Sequence, residues 1–151
     1  MIHLIRILCP MDYSSTSDNA VHYAIEFSKK VGAHVRFLHI PSSEATSADA
    51  AGSPVRPEDD LDARSKKFLQ VLTAEKDNGL NADFLILNGD APHVITEQAL
   101  SWSADMIIMG FHGRTGRERL MMGSVSEEVF RGCDIPVLLV KKQLVDKIFV
   151  E

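Results

Sequence analysis

A loop in the last third of the chain concentrates residues that could bind an anion. Residues 110–129 read GFHGRTGRERLMMGSVSEEV and contain four of the nine glycines of the chain. Glycine lets backbone N–H groups turn toward an anion with no side chain in the way. Before Ser124, three arginines (114, 117 and 119) oppose one acidic residue, Glu118, so this part of the stretch is locally positive in an acidic protein. We therefore expect an anion site here.

The residues after this loop predict a helix that begins at the same place. Ser124-x-x-Glu127 is a capping-box pattern. The first turn of a helix has unpaired N–H groups and about half a positive charge, which suits a phosphate. An ordinary helix start below a solvated loop would have the same residues, because Glu127 and Glu128 can satisfy the helix dipole without a ligand. On the residues alone, both interpretations stay open.

The common phosphate and catalytic motifs are absent from the sequence. There is no G-x-x-x-x-G-K-[ST], and the glycines are not spaced G-x-G-x-x-G. No Ser/His/Asp or Cys/His arrangement can be argued from the spacing. His112 fits a phosphate hydrogen-bond donor, with a general base or metal ligand as the alternative. The other five histidines have no metal-ligand spacing.

The apolar pattern alternates between strand-like and helical periods, and this alternation predicts the elements that position the loop. The β-α order and the near-continuous Val/Ile/Leu strands indicate an α/β fold. We expect an open five-stranded parallel sheet with helices on both faces, and a ligand outside the carboxyl ends of its strands. The strands are expected at 2–9 (ended by Pro10), 33–40, 82–87, 105–109 and 135–140, and the helices at 14–32, 58–78, 92–102 and 124–131.

Composition limits the class of protein. The 151 residues are 45% hydrophobic and 25% charged, as in one ordinary globular domain, expected at 1–142 with a tail at 143–151. The net charge of −5 argues against general nucleic-acid binding. No signal peptide and no apolar run of about 18 residues is evident, which predicts a cytoplasmic protein without a membrane partner. The small, polar segment 42–57 predicts a flexible loop, and the two cysteines predict buried free thiols.

The glycine spacing resembles a known signature. Gly110-x-x-Gly113, nine residues and then Gly123-Ser124 is similar to the ATP-binding pattern G-2x-G-9x-G-[ST] of the universal stress proteins. The exit of the first strand, ILCPMDYS, is similar to the P-x-D-x-S pattern of the same family. The resemblance extends from about Ile5 to Val140 and implies a Rossmann-like, adenine-nucleotide α-hydrolase-like sheet.

The resemblance also implies roles around an adenine nucleotide. Asp12 would accept hydrogen bonds from ribose hydroxyls, and Ile40 would hold adenine through its backbone N–H and C=O. Mg²⁺ would be held mainly by phosphate oxygens and water. Tyr13 stands where the family often has a glycine or another small residue, which predicts a narrower pocket entrance. The other implied contacts are Pro10 and Met11 on the same wall of the pocket as Asp12, Met109 and Gly110 beneath the ribose, and His112, Gly113, Arg114, Gly123, Ser124, Val125 and Ser126 at the phosphates.

Three functions remain in view. The resemblance favours a dimeric, nucleotide-dependent stress-response regulator or sensor that binds ATP, with AMP or ADP as alternatives, and hydrolyses it slowly at most. An adenylating enzyme or ATP pyrophosphatase would commonly have S-G-G-x-D-S or H-x-G-H, and neither is present. A dimeric scaffold without nucleotide is the third. The apolar edge at Val137–Val140 predicts a homodimer through the fifth strand, with the tail across the partner.

Overall fold

The computed structural model describes residues 2–41, 62–111 and 124–141. The expected loop at 42–57 and the tail at 143–151 lie outside these ranges. Strands and helices alternate along the chain, as the hydrophobic periods predict. The strands are β1 (Arg6–Met11), β2 (His34–His39), β3 (Asn81–Ile86), β4 (Met106–Gly110) and β5 (Val137–Val140), and the helices are α1 (Ser15–Val31), α2 (Ala63–Asp77), α3 (Ala91–Ser101) and α4 (Ser124–Gly132).

The five strands form one parallel sheet in the order β3-β2-β1-β4-β5. The chain adds strands on one side of β1 up to β3 and then crosses to the other side to add β4 and β5. The order therefore reverses between β1 and β4, which is the point where open sheets of this kind bind ligands. This architecture confirms the fold expected from the sequence.

Both faces of the sheet are covered by helices. On one face α1 and α2 pack over strand residues such as Ile7 and Phe37. On the other face α3 and α4 pack over Leu8, Leu38 and Ile107. Successive residues of a strand point to opposite faces, so a strand buried on both sides must be apolar at every position. That requirement explains the continuous apolar runs of the sequence.

The first strand differs from its prediction at both ends. Residues 2–5 are not part of β1, and Ile2 and Ile5 are 87% and 58% exposed. The strand begins where the Oδ2 atom of Asp105 accepts the N–H groups of Ile5 and Arg6, both at 2.9 Å. A contact a hundred residues away thus sets the start of β1, and the local apolar pattern could not show it.

Pro10 does not end β1, which continues to Met11. The Arg6 carbonyl accepts the Asp105 N–H on the β4 side at 2.8 Å, so the backbone groups of even-numbered residues of β1 face β4. In the described sheet the paired positions of β1 and β4 end at Leu8. Pro10 has no N–H to donate toward β4, which explains why this ladder ends at Leu8 while the pairing of β1 with β2 continues to Met11.

The remaining boundaries move by one or two residues, apart from the start of α2. That helix begins at Ala63 with Asp62 as its N-cap, whereas 58–61 lie outside the described residues. Cys9 is buried, as expected, and burial raises the pKa of its thiol far above the usual range. Cys133, just past the end of α4, is only half-buried and packs against the core under α3 and α4.

Candidate functional site

The turn between β1 and α1 holds Asp12 by hydrogen bonds in both directions. The Asp12 N–H donates to the Ser17 hydroxyl, and the Asp12 Oδ1 atom accepts the Ser14 N–H, both at 2.9 Å. Ser14 is the N-cap of α1, and its hydroxyl accepts the Ser17 N–H at 3.2 Å. Among the described residues, the Oδ2 atom of Asp12 accepts no hydrogen bond. One carboxylate oxygen thus fixes the turn, and the other is available to a ligand.

The end of β2 offers a donor and an acceptor beside this turn. The His39 carbonyl accepts the Leu87 N–H at 3.1 Å on the β3 side, so the backbone groups of the next residue, Ile40, face β1. Within the described ranges, the Ile40 N–H and C=O form no backbone hydrogen bond. The Ile40 side chain packs into the core under α3 and α4. Its main chain can therefore pair with the edge of a planar heterocycle.

The end of β4 forms the floor of the site. Met109 is buried in the core, and Gly110 is the last residue of the strand. A Cβ atom on Gly110 would lie 2.8 Å from the carbonyl carbon of Thr16 and 2.9 Å from its oxygen. These are atoms of the first turn of α1, which cannot move without the helix. Only glycine lets β4 come this close to α1.

The start of α4 is attached to the same floor. The Ser126 hydroxyl donates to the Phe111 carbonyl at 3.3 Å, and the Phe111 N–H donates to the Val140 carbonyl at 3.0 Å. Ser126 is buried, so its side chain holds α4 against the end of β4. The first turn of the helix then lies at the carboxyl edge of the sheet.

The expected capping box is not formed among the described residues. Ser124 is already the first residue of α4, one position too far along to cap it. The Oε1 atom of Glu127 pairs instead with the Arg131 guanidinium at 2.9 Å, one turn further on. An i,i+4 ion pair on an exposed helix face competes for the same carboxylate. The Glu127 carboxylate is therefore engaged one turn away from the start of the helix.

The structure brings most of the expected contacts to one edge. The three strand ends and the start of α4 meet around the β1–β4 switch point, where the sequence placed the ligand. Four of the expected phosphate contacts, His112, Gly113, Arg114 and Gly123, lie outside the described residues. The residues found at this edge are Pro10, Met11, Asp12, Ile40, Met109, Gly110, Ser124, Val125 and Ser126.

Sequence reasoning missed the residues that support Asp12. His39 belongs to no motif of the sequence, yet it is buried and its Nδ1 atom lies 3.0 Å from the Met11 carbonyl. The Tyr13 hydroxyl lies 2.6 Å from the Ser65 hydroxyl on α2. The sequence signal for His39 was a polar residue at the end of the apolar strand β2, and this signal could not show that His39 contacts the Met11 carbonyl.

The described residues provide neither a cluster of metal ligands nor a membrane-spanning helix. They contain no group of three or more His, Cys, Asp or Glu side chains arranged to hold a metal ion. None of their helices has both the length and the apolar character needed to cross a membrane.

Comparison with known proteins identifies the family. The model of the universal stress protein family matches residues 5–141. The chain belongs to the universal stress protein family. It is 32% identical to universal stress protein MJ0531 of Methanocaldococcus jannaschii over 139 residues, which cover 91% of this chain and 82% of the relative. It is 33% identical to universal stress protein A homolog 2 of Coxiella burnetii, with 90% and 94% covered.

Solved structures of other universal stress proteins have the same fold. MJ0577 of Methanocaldococcus jannaschii superposes with a TM-score of 0.67 at 25% identity, covering 94% of this chain and 99% of that one. A universal stress protein in complex with cAMP superposes with a TM-score of 0.67 at 20% identity, covering 93% and 99%. The Archaeoglobus fulgidus universal stress protein in complex with dAMP gives 0.63 at 19%, covering 93% and 100%.

Proposed function

We propose that this universal stress protein binds an adenine nucleotide at the β1–β4 switch point and acts as a nucleotide-dependent regulator of the stress response. ATP is the expected ligand, with AMP or ADP as alternatives. The observation that carries the proposal is the Asp12 carboxylate, which is fixed through Oδ1 and leaves Oδ2 available beside the main chain of Ile40. The hydroxyls of a ribose would bind the Oδ2 atom of Asp12, and a planar base would bind the N–H and C=O of Ile40.

The charges give the orientation of the nucleotide. A carboxylate repels phosphate but accepts hydrogen bonds from hydroxyls, so the ribose belongs at Asp12. The start of α4 attracts phosphate through its N–H groups and its dipole. The base then lies over the end of β2, against the Ile40 main chain. The resemblance places His112, Gly113, Arg114 and Gly123 at the phosphates, and this assignment is part of the proposal.

Other members of the family support an adenine ligand. Solved universal stress proteins hold cAMP and dAMP, and these two ligands share the base and one phosphate. The triphosphate is favoured by the glycine signature of the sequence. Phosphates at a helix start would bind Mg²⁺ through their own oxygens and water, which needs no protein cage.

We propose regulation in preference to catalysis. The Asp12 carboxylate at the switch point already has a structural partner through its Oδ1 atom. Positioning and electrostatics alone assist phosphoryl transfer, so we expect ATP hydrolysis to be slow at most. The cytoplasmic location expected from the sequence stays a prediction.

We also propose a homodimer through β5. The Pro136 and Val140 carbonyls accept N–H groups from β4, so the backbone groups of Val137 and Leu139 face outward. The strand is the edge of the sheet, with half-buried apolar side chains, and Phe130 of α4 is 55% exposed. Pairing with a second copy would satisfy the outward groups and cover the apolar side chains.

Calorimetry with ATP and Mg²⁺ tests the proposed ligand. The wild-type protein should bind, and Asp12→Asn should weaken binding by about tenfold or more, because the hydrogen bonds to ribose lose their charged acceptor. Asp134→Asn is the matched control, since Asp134 precedes β5 at the opposite edge of the sheet. Gly113→Val and Gly123→Val should abolish binding by filling the space of the phosphates.

The same titration separates the three functions. Binding without turnover supports a regulator. No binding to the wild-type protein supports the scaffold, and turnover of about 1 s⁻¹ or faster supports an enzyme. Equal ATP affinity in the wild type and Asp12→Asn would contradict the site.

A further inference from the structure

Tyr13 has a backbone conformation that is costly for its residue type. Its φ angle is 64°, in the left-handed region. A side chain with a Cβ atom is strained in this region, whereas glycine is not. Such a conformation persists only where the surrounding structure holds it. The contacts of Tyr13 should therefore explain why the turn after Asp12 has a tyrosine.

The side chain of Tyr13 is held at two points. Its hydroxyl lies 2.6 Å from the Ser65 hydroxyl, and its ring centroid lies 4.5 Å from that of His39. The ring also packs against the core under α1 and α2. Partial burial, opposed by the hydrogen bond to Ser65, raises the pKa of Tyr13. The phenol is therefore neutral at physiological pH and keeps a proton for a hydrogen bond.

Both holding points are themselves fixed. Ser65 is 2% exposed, and its N–H donates to the Oδ1 atom of the α2 N-cap, Asp62, at 2.8 Å. His39 is 8% exposed, and its Nδ1 atom lies 3.0 Å from the Met11 carbonyl. A carbonyl only accepts hydrogen bonds, so Nδ1 carries the proton. Tyr13 thus rests on the first turn of α2 and on the last residue of β2.

These contacts hold the residues on both sides of Asp12. Met11 precedes it and is bound by His39, and Tyr13 follows it and is bound by Ser65. The Oδ1 atom of Asp12 is already fixed by the Ser14 N–H. The position of Oδ2 therefore depends on a turn that is clamped at both ends. A glycine at position 13 would reach the same φ angle without strain but could not form this clamp.

We infer that Tyr13 is a positioning residue, which aims the Asp12 carboxylate at the ribose hydroxyls and so sets the preference for ribonucleotides over nucleotides that lack these hydroxyls. The inference rests on the proposed function, because it assumes a nucleotide with its ribose at Asp12. It adds the Tyr13–Ser65 hydrogen bond as the structural basis of that preference.

The test compares ATP with 2′,3′-dideoxyadenosine triphosphate by calorimetry. The ribose preference is the dissociation constant of the dideoxy compound divided by that of ATP. Tyr13→Phe and Ser65→Ala each remove one partner of the hydrogen bond, and each should lower the preference about threefold or more. Affinity for the dideoxy compound should change less than about twofold, because it has no hydroxyl for Asp12 to bind. The control is Tyr23→Phe, a more exposed tyrosine of α1, which should keep the wild-type preference.

Asp12→Asn separates this inference from the proposed function. If the wild type binds no ATP, or if Asp12→Asn keeps the full preference, the ribose is not at Asp12, and both the site and the inference fail. If Asp12→Asn removes the preference but Tyr13→Phe and Ser65→Ala keep it, the inference is overturned and the site stands. An equal loss of affinity for both nucleotides in Tyr13→Phe and Ser65→Ala would also overturn it, since general loosening does not act on ribose alone.

Discussion

The two residues that constrain the backbone of the site do so in opposite ways. Gly110 has no side chain because the first turn of α1 occupies the space where a Cβ atom would lie. Tyr13 has a large side chain although its φ angle of 64° would suit glycine. Gly110 makes no side-chain contacts but lets β4 approach α1 closely. Tyr13 has a strained backbone but a side chain that contacts its surroundings.

Gly110→Ala should destabilise the protein. The new methyl group would lie 2.8 Å from a backbone carbon of Thr16, and an overpacked buried position costs about 1–3 kcal/mol. Gly132→Ala is the control, because nothing lies within 4 Å of a Cβ atom there and its φ angle is not positive. Urea unfolding should show a clear loss for Gly110→Ala and none for Gly132→Ala. Equal midpoints for all three proteins would mean that β4 and α1 are further apart.

The sequence could predict Asp12 and Gly110 because each belongs to a short local pattern. It could not predict what holds Asp12, because His39 and Ser65 are distant along the chain and come together only in the fold. The left-handed conformation of Tyr13 was also hidden. Turn prediction relies on glycine and asparagine, and a tyrosine gives no such signal.

At the scale of elements, α2 begins with a charged cap. Asp62 accepts the Ser65 N–H at 2.8 Å. This hydrogen bond, with a smaller contribution from the Ser65 hydroxyl, lowers the pKa of Asp62. Because the pKa of Asp62 is lower in the folded state, its carboxylate stabilises the fold at pH values above the pKa in the unfolded chain, which is near 3.9. That contribution is lost as the pH falls through the folded pKa.

Asp62→Ala should cost about 1 kcal/mol of unfolding free energy at pH 7, as a lost N-cap usually does. The difference from wild type should shrink as the pH falls below about 4, because the carboxylate is protonated first in the unfolded chain and then, at its lowered pKa, in the folded protein. Asp62→Asn keeps a neutral cap, so it should remain close to wild type at pH 7 and lack this pH dependence. Urea unfolding at pH 7 and pH 3 measures both effects. A constant difference between Asp62→Ala and wild type at the two pH values would contradict the charged cap.

The elements themselves were predictable, but their ends were not. The spacing of apolar residues along the sequence reveals a strand or a helix, because every residue on the buried face of the element must be apolar. Ends depend on single contacts that come from elsewhere. The start of β1 is set by a hydrogen bond to Asp105, about a hundred residues further along the chain. At α4, the Glu127 carboxylate that the pattern predicted as part of a cap is paired with Arg131.

At the scale of the whole molecule, the proposed dimer depends on backbone groups that face away from the sheet. Leu139→Pro would remove one outward N–H without removing a hydrogen bond to β4, since edge strands tolerate proline in this orientation. We expect it to convert a dimer to a monomer in sedimentation velocity measurements. Leu139→Val is the control, because it trims the side chain but keeps the N–H, and it should stay dimeric. A monomeric wild type, or a dimeric Leu139→Pro, would count against pairing through β5.

The short register between β1 and β4 has a consequence for motion. In the described sheet β1 shares two paired positions with β4 and six with β2. The strands thus form two hydrogen-bonded halves joined by a narrow seam, and the seam should open more readily than either half. A ligand that lies across the seam would hold the halves together, so amide hydrogen exchange should slow at Ile108 on nucleotide binding. The Ile107 N–H donates to the Pro136 carbonyl beside β5, so the N–H of the next residue, Ile108, faces β1. At a ligand concentration 100 times the dissociation constant, the added stability would be about 2.7 kcal/mol. Nucleotide binding would then make the sheet more rigid, and a partner protein could recognise the rigid sheet without contacting the nucleotide.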